Sequence, residues 1–435
     1  MGFRNERIRV FLGFTDTCGV YRSIEQSLLM QGHRAYFLNL GTDLRHGSSH
    51  TALIPSVFRR AYDLAHCEAD GGAFFQSWLG KWLYKPALIL LSVWIALSFD
   101  VLLIKSGACL TNSRLELRLA KLLGRKVIYS YHGSDSRPFY LGYTSTRENY
   151  QEKLNELEAF KAILLKNEEL ADVIIDSPSS AHLHAKRCCL RQVIFNPVPD
   201  DLFQGRKIAG EEGRPLRLLH APSDPLLKGT DVIRRAIMDL KSKGYCFEYK
   251  ELKGVSNKQV IEEILASDII VDEMYSDNYA GIFALEGLAA KKVVVVGGYA
   301  FEHLDSYVPE WARAPTVRTR PEELAAVLET LITDEKLRLS FRDKAEAYTR
   351  GTVSPKAVVE RLLTLARGAA PSEWFFDPGT IQYIDGAAAP VEEIYENIRR
   401  VYQLNEGRTF LVDDKKTLHK LLVSTGSSIP GGEGC

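Results

Sequence analysis

The sequence predicts an α/β protein built from two doubly wound domains in tandem. Short continuous runs of Val, Ile and Leu alternate with amphipathic helical stretches, which is typical of parallel strands covered by helices on both faces. The alternation pauses at residues 204–215, where glycines, a proline and mixed charges indicate a linker, and then restarts. The length of 435 residues is enough for two or three ordinary domains.

The first Rossmann-like domain is predicted over residues 1–203. Gly32 is the expected stop of its first helix, because glycine adopts the left-handed conformation that ends many helices. The expected strands are 8–13, 35–40, 100–104, 126–131 and 172–175. The expected helices include 20–31, 114–123 and 150–169.

The second Rossmann-like domain is predicted over residues 216–370, and two further segments follow it. Residues 371–410 are expected to form an extension whose helix, 391–404, packs back on the first domain. Residues 411–435 form a tail that ends in a Gly- and Ser-rich segment predicted to be disordered. The expected strands are 216–220, 247–252, 268–272 and 293–296. The expected helices are 231–243, 257–266, 281–290, 321–331 and 334–348.

Composition excludes several classes of protein. Lys+Arg and Asp+Glu both number 55, so no global positive field exists to hold nucleic acid. The seven cysteines are scattered without a C-x-x-C pair, which argues against a zinc site and a disulfide framework. The adjacent Cys188 and Cys189 are expected to pack as small apolar side chains in a reducing compartment. The polar start of the chain does not read as a signal peptide, so a cytoplasmic location is expected.

Several common catalytic motifs are missing from the sequence. It contains no G-x-G-x-x-G dinucleotide fingerprint and no G-x-x-x-x-G-K-[ST] phosphate loop. It contains neither a G-x-S-x-G nucleophile elbow nor an H-E-x-x-H zinc motif. Asp-x-Asp, the simplest carboxylate clamp for a metal-bound nucleotide, does not occur either.

Glu286 is the first candidate binding residue, because it lies in an otherwise apolar helix. A carboxylate in apolar surroundings needs hydrogen-bond partners, and the two hydroxyls of a sugar diol suit its two oxygens. Gly281 begins the same helix, where backbone N–H groups face an anion and the missing side chain permits close approach. The alternative is that Glu286 lies on an exposed stripe of the helix.

Lys228 is the second candidate, in a loop between a predicted strand and helix. It stands just before Gly229 and Thr230 at a helix start, where the helix dipole disfavours a cation. A lysine is reasonable there if an anion lies between it and the helix, and ligands of open α/β sheets bind at the carboxyl ends of strands. The alternative is a lysine that extends into solvent.

These two segments resemble retaining, family-four (group 1) type glycosyltransferases of the GT-B fold. In that family a Lys-Gly pair opens the first helix of the C-terminal domain, and an E-x7-E helix follows a strand that ends in Asp. Lys228-Gly229, Asp272, Gly281 and Glu286 match in order and spacing. The resemblance extends to about four-fifths of the chain. It implies that Lys228 binds the diphosphate of a nucleotide-sugar and that Glu286 binds the ribose hydroxyls.

Two positions depart from the pattern of this family. Asn278 occupies the place of the first Glu of E-x7-E, so it can hydrogen-bond a donor sugar but carries no charge. Ser223 occupies the place of the usual arginine five residues before the lysine. Neutralisation of the diphosphate then falls to Lys228 and the helix ends, or to an arginine from elsewhere in the chain. The donor-binding residues that the resemblance implies are Ser223, Lys228, Gly229, Thr230, Asn278, Gly281 and Glu286.

The N-terminal half holds a second set of candidates, on the acceptor side. A His-Gly-Ser-Asp turn at 132–135 directly follows a predicted strand, and in the family this histidine lies beside the donor sugar and the acceptor. Taken alone, His132 is equally well a structural histidine, and Asp135 and Arg137 form an ion pair in the alternative interpretation. The acceptor-side residues that the resemblance implies are Gly19, Gly107, His132, Asp135 and Arg137.

Two further segments have alternative interpretations. The segment 196–200 resembles the family's hinge after its first domain, although a plain proline-rich turn predicts the same boundary. Trp78, Trp82, Trp94 and the apolar run 86–98 form either a core helix or a surface that meets lipid, with Lys81 and Lys85 near the head groups. The run is shorter than the roughly 20 residues that a membrane span needs.

The expected function is retaining transfer of a sugar from a nucleotide-sugar to a hydroxyl acceptor. The resemblance implies His132, Lys228 and Glu286 as catalytic residues and no metal or other cofactor. The expected acceptor is a glycan, a lipid-linked hydroxyl or a small molecule, with peripheral membrane contact as an option and no nucleic acid. Two alternatives are a GT-B sugar-nucleotide epimerase and a glycosyltransferase-like binding protein without catalysis.

Overall fold

The computed structural model describes residues 7–16, 19–40, 53–65, 74–105, 109–142, 150–194, 197–198, 214–381 and 389–404. Gly107, Asn196, nearly all of the linker at 204–215 and the whole tail at 411–435 lie outside the described residues. By its contacts, the chain divides into two compact units that alternate along the sequence. The first unit comprises Met1–His132, Ile163–Ile175 and Val359–Ala370, and the second comprises Gly133–Ala162, Asp176–Val358 and Pro371–Cys435. The domain boundaries inferred from the sequence stay predictions.

The strands of the first unit form a parallel sheet in the order β5-β4-β3-β1-β2. All five were expected from the sequence, and their ends differ by at most one residue. The elements of this half of the chain are β1 Arg9–Phe14, α1 Val20–Met30, β2 Arg34–Asn39, α2 Leu53–Ala65, α3 Phe74–Ser98, β3 Val101–Lys105, α4 Leu115–Leu122, β4 Lys126–Ser130, α5 Tyr150–Leu170, β5 Val173–Asp176 and β6 Cys188–Leu190.

Continuous apolar sequence explains why these strands lie in the middle of the sheet. Residues 10–12 of β1, 101–104 of β3 and 127–129 of β4 are buried along their whole length. A strand with apolar side chains on both faces removes them from water only when both faces of the sheet are covered. At the amino ends of β1 and β3, Asp100 accepts hydrogen bonds from the backbone and guanidinium of Arg9 and from Arg125.

The second unit contains a five-stranded parallel sheet in the order β11-β10-β9-β7-β8. From β7 the chain passes to β8 on one side and then to β9 on the other, so the order reverses between β7 and β9. The elements of this half are β7 Leu216–His220, α6 Thr230–Ser242, β8 Phe247–Glu251, α7 Asn257–Ala266, β9 Ile269–Val271, α8 Ile282–Ala289, β10 Val293–Gly297, α9 Phe301–Asp305, β11 Val317–Thr319, α10 Leu324–Thr333, α11 Glu335–Tyr348, α12 Pro355–Ala366, β12 Phe375–Phe376 and α13 Val391–Leu404.

The core of this sheet consists of strand residues packed against helices. Leu218, Ile269 and Val295 contribute from three strands, and Ile233 and Leu328 contribute from α6 and α10. Each is fully buried. Leucine and isoleucine side chains of this size stabilise a fold by roughly 1.5–3 kcal/mol each when fully buried. The packing fixes the sheet edge where the loops after β7 and β9 begin.

Some elements were not expected from the sequence. The short β11 was missed, and the extension that begins at residue 371 contains a strand that was not predicted, β12, which pairs antiparallel with β6. Cys188 and Cys189 are fully buried in β6 and face Phe376 and Phe375 across this pair. The expectation that the two cysteines pack as small apolar residues is therefore confirmed. Helix 321–331 begins later than expected, at Leu324, because Pro321–Glu323 forms a 3-10 turn.

Helix α3 is one continuous helix that passes through Pro86. One face packs in the core, where Leu91 and Ile95 are fully buried. The core-helix interpretation is therefore right for that face and wrong for the other. The exposed face carries the large apolar side chains of Trp82, Leu83, Ile89, Leu90, Val93 and Leu97. Among the described residues, no helix combines the length and apolarity needed to cross a bilayer.

Helix α13 packs on residues that precede it by about 250 positions. It contacts the 3-10 turn Phe139–Leu141. The Tyr150 hydroxyl donates a hydrogen bond to Asn397 Oδ1, and the Arg400 guanidinium lies 4.3 Å from the centre of the Tyr150 ring. The buried face of the helix is formed by Ile394, Asn397, Ile398 and Val401.

We expect Ile398→Ala to lower the free energy of unfolding by about 2–5 kcal/mol, because Ile398 is only 2% exposed and alanine leaves a cavity. Glu396→Ala on the exposed face of the same helix is the matched control and should change stability by less than about 0.5 kcal/mol. Urea denaturation of both variants measures the difference. Equal stabilities would contradict the docking of this helix.

Candidate donor site in the second unit

The candidate site lies where the loops after β7 and β9 leave the carboxyl edge of the sheet. This is the point at which the strand order reverses, and ligands of open α/β sheets bind in the crevice there. The loop after β7 carries Ser223 and Lys228 and leads into α6, which begins at Thr230. The loop after β9 carries Asp272, Glu273 and Asn278 and leads into α8.

His220, the last residue of β7, holds the base of this site together. Its Nδ1 donates a hydrogen bond to the Val271 carbonyl at 2.8 Å, and its Nε2 accepts one from the Thr230 hydroxyl at 2.9 Å. The ring is fully buried, and burial lowers the pKa of His220 to about 4. A neutral histidine therefore links β7, β9 and the start of α6. Sequence reasoning missed this residue, although its place at the end of a predicted strand was a signal.

Lys228 forms ion pairs with two carboxylates from the loop after β9. Its Nζ lies 3.3 Å from Asp272 Oδ1 and 2.5 Å from Glu273 Oε2. Burial lowers the pKa of Lys228, but attraction by Asp272 and Glu273 outweighs burial and raises it above the usual value. The lysine is therefore charged, and the interpretation that it extends into solvent is wrong.

The pKa values of the two carboxyl groups shift in opposite directions. Burial raises the pKa of Asp272, and the charge of Lys228 offsets only part of the rise. Burial would also raise the pKa of Glu273, but Lys228, a 2.7 Å hydrogen bond from Ser276 and the charge of Arg137 lower it. Lys228 thus faces both groups and favours the charged form of each.

Two glycines let the backbone approach this cluster. Gly229 has a φ of 67°, and a Cβ atom there would lie 2.8 Å from the Met274 Cβ. Gly281 precedes α8, and its Cβ would lie 3.2 Å from Asp272 Oδ2 and 3.9 Å from Lys228 Nζ. A side chain at position 281 would therefore fill the space beside the lysine.

Glu286 lies in the second turn of α8 and is half-buried. Its Oε1 accepts a hydrogen bond from the Asn257 side chain at 3.2 Å, so the expected polar partner exists. Burial raises the pKa of Glu286 to about 7, the bond from Asn257 opposes the rise, and the charge of Asp272 adds to it. Within the described residues, no hydrogen bond to Oε2 occurs, so this oxygen is available to a ligand.

Asn278 is buried, and its side-chain oxygen is already engaged. Oδ1 accepts hydrogen bonds from Gln192 Nε2 at 3.0 Å and from the Tyr279 backbone at 2.9 Å. Ser223 is exposed and offers no charge in the loop after β7. The two residues that depart from the family pattern therefore contribute no carboxylate and no cation to the site.

The His-Gly-Ser-Asp turn is divided between the two units. In the first unit, His132 Nε2 hydrogen-bonds with the Ser130 hydroxyl at 3.1 Å, and its ring lies 6.3 Å from that of Tyr21, two residues after Gly19. In the second unit, Asp135 ends a 3-10 turn and Arg137 forms an ion pair with Asp277.

No group of three or more His, Cys, Asp or Glu side chains in the described part of the chain could hold a metal ion.

A comparison with solved structures finds glycosyltransferases among those similar to this chain. A glycosyltransferase from Rickettsia africae ESF-5 has a TM-score of 0.51 and 13% identity, covering 84% of this chain and 99% of that one. Anabaena Alr3699/HepE in complex with UDP has a TM-score of 0.47 and 12% identity, covering 83% and 99%. An alpha-glucosyltransferase in complex with UDP and a 13-mer DNA containing an HMU base has a TM-score of 0.42 and 11% identity, covering 83% and 100%.

No protein-family model matches the chain, and no curated protein matches it in sequence. At 13% identity, the likeness to the Rickettsia africae enzyme concerns the fold alone. It confirms the expected α/β fold, which this chain shares with a solved glycosyltransferase.

Glu286 should make stability depend on pH. Its pKa is raised from 4.5 to about 7 in the folded chain, so the folded state favours the protonated carboxyl group. The resulting stabilisation of the fold is fully present below about pH 4.5 and is lost as pH rises through about 7. We expect Glu286→Gln, which cannot ionise, to match the wild type near pH 5 and to be more stable at pH 8. Urea denaturation at both pH values measures this, with Glu310→Gln at an exposed position as the control. A stability difference independent of pH would contradict the raised pKa.

Proposed function

We propose that this chain is a GT-B glycosyltransferase that transfers a sugar from a nucleotide-sugar to a hydroxyl acceptor, with retention and without a metal. The observation that carries the proposal is the convergence of Lys228, Gly281 and Glu286 at the switch point of the second sheet. The diphosphate of such a donor matches the cation and the space beside the glycine backbone. The ribose diol matches the carboxylate, which has one oxygen without a hydrogen bond.

The donor would bind by exchanging ion pairs. In the empty site, Asp272 and Glu273 compensate the charge of Lys228. A bound diphosphate would replace the two carboxylates as the ion-pair partner of Lys228. The space beside Gly281 would admit a phosphate oxygen near the first N–H groups of α8. The ribose hydroxyls would then donate to Glu286, whose Asn257 partner already orients the carboxylate.

The reaction needs stabilisation of the departing diphosphate. The bond between C1 of the sugar and the phosphate oxygen breaks with its electron pair on the diphosphate, and the acceptor oxygen bonds to C1 and passes its proton to the departing diphosphate oxygen. Fixed positive charge near the diphosphate lowers the barrier to this step. Lys228 is fixed in this way, because its backbone carbonyl accepts a hydrogen bond from Met274 and Gly229 packs against the same residue.

The finer features of the proposal have separate support. Retention is proposed from the resemblance in residues 228–296. Metal independence is proposed because Lys228 and the helix starts supply positive charge at the diphosphate position. The acceptor side is assigned to His132 and Gly19, which lie near Tyr21 in the first unit. Because the chain has no net positive charge, the proposed acceptor is a glycan, a lipid-linked hydroxyl or a small molecule rather than nucleic acid.

We expect a nucleoside diphosphate to raise the melting temperature in buffer that contains EDTA, because Lys228 and not a metal would hold the phosphates. Thermal-shift screening with UDP, GDP and ADP, each with EDTA or with Mn²⁺, measures this effect. Stabilisation that required Mn²⁺ would contradict metal independence, and no stabilisation by any nucleotide would contradict the donor site.

The variant Glu286→Gln tests the ribose assignment. Hydrogen bonds to a charged group contribute roughly 1.5–3 kcal/mol, so affinity for the best nucleotide at pH 8 should fall about ten- to a hundredfold. Isothermal titration measures the affinity, with Glu310→Gln as the control. Unchanged affinity would show that Glu286 has only a structural role beside Asn257.

Turnover separates the proposal from the two alternatives. A glycosyltransferase consumes nucleotide-sugar faster when a hydroxyl acceptor is present. An epimerase converts it without any acceptor, and a binding protein leaves it unchanged. The engaged Asn278 oxygen and the uncharged Ser223 are the observations that favour the binding protein.

We also propose a cytoplasmic enzyme that contacts a membrane surface through α3. Trp82 is 68% exposed and Leu97 is 56% exposed at the two ends of the apolar face. Residues 74–98 contain no Asp or Glu but contain Lys81 and Lys85, so the helix suits an anionic lipid surface. A helix with one face in the core and one apolar face outward can lie in the lipid interface without crossing it.

Leu90→Glu should weaken binding to vesicles that contain anionic lipid by about tenfold or more, because burying a leucine side chain stabilises by roughly 1.5–3 kcal/mol. Leu122→Glu is the matched control, since Leu122 is 82% exposed on α4. Vesicle flotation measures binding to anionic and to purely zwitterionic vesicles. Wild-type protein that stays unbound in both would contradict the membrane contact.

A further inference from the structure

The candidate donor site lacks a second positive charge within the loops after β7 and β9. Lys228 faces two carboxylates, Asp272 and Glu273, so this part of the site is not electropositive before a ligand arrives. A diphosphate adds further negative charge at the same place. Ser223 in the loop after β7 is exposed and neutral. A cation from another part of the second unit is therefore needed to hold the ligand.

Arg137 is placed to supply this charge. It comes from the turn after β4, yet it forms an ion pair with Asp277, the residue before Asn278. The side chains are only 12% and 14% exposed, so the pair is shielded from salt and solvent. The charge of Arg137 also lowers the pKa of Glu273, the same carboxylate that Lys228 contacts. Lys228 and Arg137 thus both act on the partly buried carboxylate of Glu273.

Arg191 is the other cation near this carboxylate, but its surroundings differ. Its charge interacts with Asp176, Asp135 and Glu273, and burial lowers its pKa. Asp176 is fully buried and also contacts His184 and Ser180. The charge of Arg191 is thus felt by three carboxylates, one of them the buried Asp176, whereas Arg137 forms an ion pair with a loop residue beside the donor candidates.

We infer that Arg137 is the second diphosphate-binding cation of the donor site and that Asp277 holds it in place while the site is empty. The inference rests on the proposed function. A guanidinium has five donors in a planar fork, so it can keep one contact to Asp277 and present another edge to a phosphate oxygen. A positive charge that the loops after β7 and β9 lack would in this way come from a distant part of the sequence.

The two partners of the ion pair should have opposite effects on ligand binding. Arg137→Gln removes the charge that attracts the diphosphate, and a charged hydrogen bond of this kind accounts for about a ten- to hundredfold change in affinity. Asp277→Asn keeps the shape but removes the competing anion, so affinity for a diphosphate should rise. Affinity for the uncharged nucleoside should change in neither variant. A purely structural ion pair would lower nucleoside and diphosphate affinity together in both variants.

The experiment is isothermal titration of the full chain with inorganic pyrophosphate, the best nucleoside diphosphate and the matching nucleoside. Arg217→Gln and Glu248→Gln are the controls, because this pair joins the amino halves of β7 and β8, away from the site. Thermal unfolding of each variant confirms that it is folded at the titration temperature.

The outcomes separate the inference from the proposed function. Loss of diphosphate affinity in Arg137→Gln with a gain in Asp277→Asn supports the inference. If the wild type binds nucleoside diphosphate and Arg137→Gln binds it equally well, the inference is wrong and the proposed function stands. If Arg137→Gln lowers pyrophosphate affinity but no nucleotide binds, the anion site is real and the proposed function is wrong. A wild type that binds neither compound overturns both.

Discussion

The second unit depends on holding a partly buried lysine between two carboxylates at the reversal point of its sheet. Moving isolated charges out of water costs several kcal/mol each, and only close opposite charges offset this cost. Lys228, Asp272 and Glu273 meet this condition through contacts of 3.3 and 2.5 Å. Because the lysine precedes α6 and the acids follow β9, the cluster sets the distance between the two loops that would hold a ligand.

His220 makes this arrangement rigid without adding another charge. Burial keeps the ring neutral, so it can donate to one backbone carbonyl and accept from one hydroxyl at the same time. Thr230 is thereby fixed at the start of α6, next to Gly229, whose positive φ fits glycine. The loop after β9 packs on this glycine, since any side chain there would collide with Met274.

In this site the positive charge of Lys228 is already balanced by carboxylates, and this affects how an anion can bind. An incoming anion must replace contacts that Lys228 already makes, so binding energy comes from the difference between two sets of ion pairs. This favours ligands with concentrated negative charge, such as a diphosphate, over single carboxylates or neutral sugars. Glu286, half-buried and bound to Asn257, adds a hydrogen-bonding group whose charge changes near neutral pH.

The sequence by itself determined the five strands of the first sheet and β7 to β10 of the second, together with the residues that follow them, because continuous apolar runs have few ways to be buried. It placed Lys228, Gly281 and Glu286 at the carboxyl edge of the second sheet through the order of strand, loop and helix. It left α3 ambiguous, since a helix that is apolar on both faces has no period that tells core from surface.

Only the tertiary structure decided which side chains meet. The pairs Lys228–Glu273, Arg137–Asp277 and Gln192–Asn278 join residues separated by 45 to 140 positions. Periodicity and local propensity carry no information about such separations, because they depend on strand order and on the loops that connect distant elements. The role of His220 was hidden for the same reason, since the Val271 carbonyl reaches it only when β9 lies beside β7.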